Sequence, residues 1–281
     1  MRSQSEPAAA EPGAIARPPL VREFLLVAGL FLVYKFGRQL ATGHTTEALH
    51  NAHRIWDLER TLHLPSEADV QSPLLHDGTL VHLANTYYAT IHFPATLAFL
   101  IWLYLKRPAH YVWARRVLAV VTAAALVLPF TFPLAPPRML AATGLVDTAR
   151  VYGPSVYGPP ASDHLSNQFA AMPSLHFGWA LMVAVGLIVA TRPPVSHHPG
   201  PGATRRGLRP GLRWLWLLHP ALTLLVIVGT ANHYWLDAIV ATVMLAAALA
   251  LINPPHRTAT TAGRGTRGLT VEEPALAGVG R

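Results

Sequence analysis

The chain has no cysteine among its 281 residues, which excludes a disulfide framework and a thiolate metal site. It is also short of charge. Asp, Glu, Lys and Arg make up 13% of the residues, where an ordinary soluble domain carries roughly 25%. That is too little to solvate the surface of a soluble enzyme of this size. The 52% hydrophobic content equally excludes a disordered chain. Charge is missing altogether from 78–105, 117–137, 164–191, 214–236 and 238–256, runs of 28, 21, 28, 23 and 19 residues. A bilayer-spanning helix needs about 20 apolar residues. Acids are the scarcest charge: between residues 78 and 271 only Asp147, Asp163 and Asp237 occur.

The net charge of +8 would suggest a nucleic-acid partner if the cations shared one soluble face. They sit instead in short loops between apolar runs, where they set membrane topology. No nucleic-acid partner is expected. Lysine is nearly absent, with 2 Lys against 20 Arg, and alanine is abundant. That bias reads as genomic base composition and points to a bacterial source.

The pattern predicts an all-α integral membrane bundle of about six transmembrane helices. The expected spans are Leu20–Tyr34, Leu80–Leu103, Arg116–Leu134, Phe169–Ala190, Trp214–Thr230 and Tyr234–Ile252. The first is interrupted by Arg22 and Glu23, and an interfacial helix is the alternative there. Residues 1–19 read as a disordered tail without a secretory signal, 20–252 as the membrane domain, and 253–281 as a flexible tail. Residues 35–78 form a polar connection. Within it, Ala48, Ile55, Leu58 and Leu62 recur at helical spacing, which predicts an amphipathic helix over Glu47–Leu64 lying on the membrane. Residues 135–168 form a long Gly-, Pro- and Tyr-containing loop, and 191–213 a Pro/Gly/Arg linker.

Lys106, Arg107, Arg115 and Arg116 follow the second span, and Arg192, Arg205, Arg206, Arg209 and Arg213 the fourth, without an acid in either loop. The other loops balance Arg with Asp and Glu. The positive-inside rule therefore puts these two loops and both termini in the cytoplasm. It puts 35–78, 135–168 and the turn near Asn232 outside.

Three polar clusters interrupt this apolar frame. Asp237 lies in the first turns of the last span, four residues after His233 and on the same helix face. An ionisable group there is costly and is a functional candidate. A carboxylate can hold one imidazole nitrogen as N–H and leave the other as a nucleophile or base. A capping Asp with a satisfied interfacial His is the plainer alternative. The second cluster is Pro173-Ser174-Leu175-His176 at the start of span four, where helix N–H groups attract anions. The third is Pro136-Pro137-Arg138 after span three. Its Arg has the planar fork that grips phosphate, or else snorkels to head groups. The six-span topology sets all three clusters on one membrane face. An Arg, a helix start, two His and an Asp are the parts needed to displace a phosphate ester through a phosphohistidine.

Pro173-Ser174-x-His176 resembles the P-S-x-H motif of the type-2 phosphatidic acid phosphatase superfamily, and His233-x-x-x-Asp237 resembles its H-x-x-x-D motif. Pro136-Pro137-Arg138 is similar to the first motif of the branch that includes the fungal inositol phosphorylceramide synthases. The resemblance implies a helical membrane enzyme, a lipid phosphatase or phosphotransferase that needs no cofactor and no metal. It implies His233 as nucleophile, Asp237 as its orienter, His176 as general acid, and Arg138 and Ser174 as phosphate ligands. The substrate would be a membrane lipid phosphate, with water or an alcohol as acceptor, at the extracytoplasmic side of the cell membrane. Two cations of the wider superfamily are absent. Thr131 stands where its first motif has Lys, and Val226-Ile227 where its third has Ser-Arg. Arg38 is the first choice to supply the missing charge, with Lys35 and Arg150 as alternatives.

Asn85, Tyr87, Tyr88 and His92 lie in the second span, either lining a head-group pocket or making interhelical hydrogen bonds. The chain's 15 His show no zinc-site spacing. Two other functions fit the composition: a small proton-coupled transporter using the intramembrane His and Asp, and a catalytically inactive family member.

Overall fold

The computed structural model describes residues 17–40, 45–155, 168–192 and 211–255, with backbone alone at 30, 31 and 33–40. Most of both expected tails, the linker carrying His197 and His198, Asp163, and the side chains of Lys35 and Arg38 lie outside the described residues. The described residues are helical, with no strand beyond a single parallel bridge between Leu134 and Ala170. In chain order the helices are α1 (Leu20–Leu40), α2 (Thr45–Thr61), α3 (Glu67–Leu75), α4 (Gly78–Thr90), α5 (His92–Lys106), α6 (Pro108–Thr131), α7 (Thr148–Tyr152), α8 (Leu175–Ala190), α9 (Leu218–Gly229) and α10 (Trp235–Leu251).

Among the described residues two helices are long and apolar enough to cross a bilayer: α6, and α9 extended by its leading 3-10 turns to Leu212–Gly229. The expected second span is two helices, α4 and α5, bent by 47° at Ile91, and as one broken span it makes a third. Pro94 explains the break, because it has no N–H to return to the Thr90 carbonyl. Helices α8 and α10 are apolar but have 16 and 17 residues. At 1.5 Å per residue that is about 24 and 26 Å, against a hydrocarbon core of about 30 Å. The all-helical class thus stands, with two to three candidate spans; the count of six goes beyond them.

Large apolar side chains face outward on several helices, among them Leu97 and Ile101 on α5, Val120 and Val127 on α6, and Val243 on α10. Apolar helices with such outer faces mark a membrane protein. Inside, α5, α6, α8 and α10 share a core of Phe99, Leu103, Trp113, Val117, Met182 and Leu245. Gly186 is what lets α8 approach α5: a Cβ there would lie 2.3 Å from Phe99 Cζ. Glu23, which breaks the first apolar run, is buried and paired with Arg115 of α6, and accepts a hydrogen bond from the Tyr111 hydroxyl at 2.9 Å.

The polar connection is more structured than its composition suggests. Helix α2 forms over Thr45–Thr61, but its buried face is Ala48, Asn51, Ala52, Ile55 and Glu59. Of the stripe expected to lie on the membrane, Ala48 and Ile55 are buried in the protein while Leu58 and Leu62 are exposed. Of the buried face only Ile55 is a large apolar residue, so Leu58 and Leu62 outweigh it in a hydropathy pattern. Asn51 fixes α2 by donating to the Pro133 carbonyl at 2.9 Å. A second helix, α3, follows, with Ser66 as its N-cap. Its Gln71 ties the 146 and 229 turns together, accepting from Val146 N–H at 2.8 Å and donating to the Gly229 carbonyl at 3.2 Å.

Candidate active site

The end of α6 and the starts of α8 and α10 meet at one pole of the bundle. Backbone bonds fix the meeting. Leu134 N–H donates to the Phe169 carbonyl at 2.8 Å, Arg138 N–H to the Ala231 carbonyl at 3.0 Å, and Ser174 N–H to the Asp237 carbonyl at 3.2 Å. The three motifs of the sequence therefore converge, although 99 residues separate Arg138 from Asp237.

Helix α10 begins at Trp235, so Asp237 is its third residue and a natural acceptor for the N–H groups of the first turn. Its Oδ2 accepts from Tyr234 N–H at 3.0 Å and lies 3.1 Å from His233 Nδ1. With Asp237 ionised its carboxylate only accepts, which places the proton on Nδ1 and leaves Nε2 a lone pair. Asp237 is fully buried and His233 is 5% exposed, which holds both groups in a medium of low dielectric. His233 N–H donates to the Ile227 carbonyl at 3.1 Å, which locks the turn before the helix.

Ser174 caps α8, and its hydroxyl accepts from Phe177 N–H at 3.4 Å. His176 follows two residues later. Its ring stacks on Tyr88 at 4.3 Å, and its centroid is 6.0 Å from that of His233 at an angle of 56°. Pro136 and Pro137 stiffen the chain into the single 3-10 turn Pro137–Met139. That turn presents Arg138, whose Nη1 donates to Asn232 Oδ1 at 2.7 Å. Arg138 Nε is 3.6 Å from Asp147 Oδ2.

His233, Asp237, His176, Ser174 and Arg138 are thus brought together. Arg38 lies on α1, and its side chain is outside the described residues. Arg150, on α7, is exposed. Val226 and Ile227, at the positions of the absent Ser-Arg, are buried core residues beside Phe177 and Ala238. The polar residues of the second span divide. Asn85 is an interhelical latch, donating to the Thr148 and Gly153 carbonyls at 3.0 and 2.9 Å. Tyr87, Tyr88 and His92 instead line a small cavity beside His176, closed by His219 and Thr223.

Three residues carry weight that the sequence reading did not assign. Asn232 links Arg138 to the His233 turn and is itself held by donation to Thr230 Oγ1 at 2.8 Å. The signal was a polar Asn beside His233 in an otherwise apolar run. Asp147 is the counter-ion of Arg138, and was visible only as one of three acids in a long stretch. Glu59, on α2, accepts from Leu236 N–H at 2.8 Å, inside the segment between His233 and Asp237.

Comparison with curated proteins and with solved structures gives no match. A family model described as the PAP2 superfamily matches residues 53–200 and 202–251. These two stretches take in Arg138, Ser174, His176, His233, Asp237 and well over half of the chain. The chain belongs to the PAP2 superfamily, whose members are generally phosphatases acting on phosphate esters.

Proposed function

We propose that the protein is a membrane lipid phosphatase or phosphotransferase working through a phosphohistidine on His233. The observation that carries this reading is the His233–Asp237 pair at 3.1 Å, with the His176 ring 6.0 Å from the His233 ring. His233 Nε2 attacks phosphorus while the ester P–O bond breaks. The His176 imidazolium gives its proton to the departing oxygen. In the second half, His176 takes a proton from water or an alcohol. That oxygen attacks phosphorus, and the N–P bond breaks to restore neutral His233. Asp237 keeps the proton on Nδ1 throughout and stabilises the cationic ring of the intermediate. Attack requires Nε2 to come within about 3–3.5 Å of phosphorus, with His176 on the side of the departing oxygen. The phosphoryl oxygens meet Arg138, Ser174 and the positive end of the α8 dipole.

Neither histidine mechanism requires a metal or cofactor. The substrate is a lipid phosphate because the site lies at one end of apolar helices. Pro136-Pro137-Arg138 favours the branch resembling inositol phosphorylceramide synthases, and with it an alcohol acceptor. The Arg-rich loops put the site on the extracytoplasmic side of a six-span chain with cytoplasmic termini. Arg38 supplies the second phosphate-binding cation.

The test is phosphate release from phosphatidic acid and polyprenyl phosphates by the detergent-purified protein with EDTA present. Wild type is compared with His233→Ala and His176→Ala. Release that both substitutions abolish is the expected result. Release unchanged in His233→Ala overturns the reading. No phosphate release from any lipid, and no phosphorylated alcohol when inositol or another alcohol is added, leaves the inactive family member as the better account.

A further inference from the structure

The catalytic turn rests on a pair of buried acids that the proposed mechanism does not use. Glu59 of α2 and Glu67 of α3 are both fully buried, and their carboxyl groups lie within hydrogen-bonding reach of each other. Glu59 Oε1 accepts from Leu236 N–H at 2.8 Å. Glu67 Oε2 accepts from Arg60 Nη2 at 3.0 Å, and Arg60 is held in turn over the Trp56 ring at 4.3 Å. The other two oxygens, Glu59 Oε2 and Glu67 Oε1, are buried with no donor among the described residues. Arg60 is the cation α2 brings to the pair, and it lies farther from Glu59, at 4.0 Å. From α10 the charge facing the pair is another acid, Asp237, together with the buried phenol of Tyr234. Two buried carboxylates opposite one guanidinium, with a third carboxylate behind, are not stable as three anions. A single proton between the two orphaned oxygens satisfies both and removes the excess charge.

We infer that Glu59 and Glu67 share one proton, and that the protonated pair positions the catalytic turn by holding the Leu236 amide between His233 and Asp237. Glu59 is a positioning residue, because it reaches the reaction only through that amide. Burial first, and then the bond from Glu67, push the Glu59 carboxyl up from its ordinary 4.5 to about 9. The sign follows. A raised value in the folded state means that the contribution is whole below about pH 4.5 and is lost as pH rises through about 9. Above that, the second carboxylate repels Glu67 and Asp237 and loosens α2 and α3 from the start of α10. Catalysis therefore acquires an alkaline limit set 177 residues away in sequence from the helix it acts on.

This inference rests on the phosphohistidine reading for its kinetic arm but has an independent arm. The variants are Glu59→Gln and Glu59→Ala, beside wild type and His233→Ala. Gln keeps the acceptor for Leu236 N–H and replaces the shared proton with an amide donor to Glu67. At pH 7 Glu59→Gln should keep kcat within about threefold, and Glu59→Ala should lose about tenfold or more in kcat with KM little changed. A limb of wild-type kcat with its midpoint near pH 9, separate from the one set by loss of the His176 imidazolium, should flatten in Glu59→Gln. The independent arm is the thermal midpoint in detergent from pH 7 to pH 10, which should fall in wild type and in His233→Ala but hold steadier in Glu59→Gln. A wild-type alkaline limb in Glu59→Gln, or identical pH profiles of thermal stability, overturns the proton-sharing pair. If His233→Ala retains activity while the thermal profiles differ as expected, the phosphohistidine reading fails and the buried pair stands.

Discussion

Asp237→Asn separates the charge of the orienting group from its shape. The substitution keeps an oxygen that can accept from Tyr234 N–H and from His233 Nδ1–H, the two contacts at 3.0 and 3.1 Å. It removes the negative charge beside a ring that becomes cationic when phosphorus bonds to Nε2. Two unit charges about 4 Å apart attract by roughly 4 kcal/mol at an effective dielectric of 20. The neutral hydrogen bond that remains returns a part of this, about half the strength of the charged one. The net loss is about 2–4 kcal/mol of transition-state stabilisation, or roughly 30- to 1000-fold in kcat. Substrate binding precedes the charge on His233, so KM should stay near its wild-type value. The assay is steady-state phosphate release in detergent micelles, with a thermal midpoint as the check on folding. A variant that keeps more than about a third of wild-type kcat, or that loses only in KM, would refute the role given to the buried carboxylate.

Arg138→Lys should lower kcat/KM by about 10- to 100-fold, because one ammonium cannot meet both Asn232 and a phosphoryl oxygen as the guanidinium fork does; steady-state kinetics check it. Arg38→Glu should lower activity by about tenfold or more if Arg38 supplies the second cation, and intact activity would exclude it. Gly186→Val should destabilise the bundle by about 2–3 kcal/mol through overpacking, since even the first carbon would sit 2.3 Å from Phe99 Cζ. A lower thermal midpoint, partly recovered by adding Phe99→Leu, is the expected outcome.

The candidate cluster was legible because polar residues are costly where they stand. His233, Asp237, His176 and Arg138 interrupt or border charge-free runs, and it was their convergence on one face of the expected topology, not any one position, that pointed to a function. The support beneath them was not legible. Glu59 sits among many other charged residues in the polar connection, and nothing in its local pattern separates it from solvated neighbours. Its burial comes from tertiary contact with the Leu236 amide, 177 residues away. The packing of α2 was only partly legible, for a related reason. Ala48 and Ala52 make a tight contact but a weak hydropathy signal, while Leu58 and Leu62 make a strong signal and stay exposed. Helix α3 was missed because the carboxylates in its first turn, Glu67 and Asp69, read as loop polarity. The second apolar run read as one span, and the consequence of Pro94 within it, a 47° bend, is geometric and leaves hydropathy unchanged.

The most direct measurement is to trap the intermediate. The protein is mixed with lipid labelled in its phosphate, quenched within the first turnover in alkali, and digested to peptides. The expected result is alkali-stable, acid-labile label on the peptide that contains His233, absent from His233→Ala. Label that is alkali-labile and sensitive to hydroxylamine would place the phosphoryl group on a carboxylate such as Asp237. Phosphate release with no labelled protein at any time would mean direct attack by water, and either result would contradict a phosphohistidine enzyme.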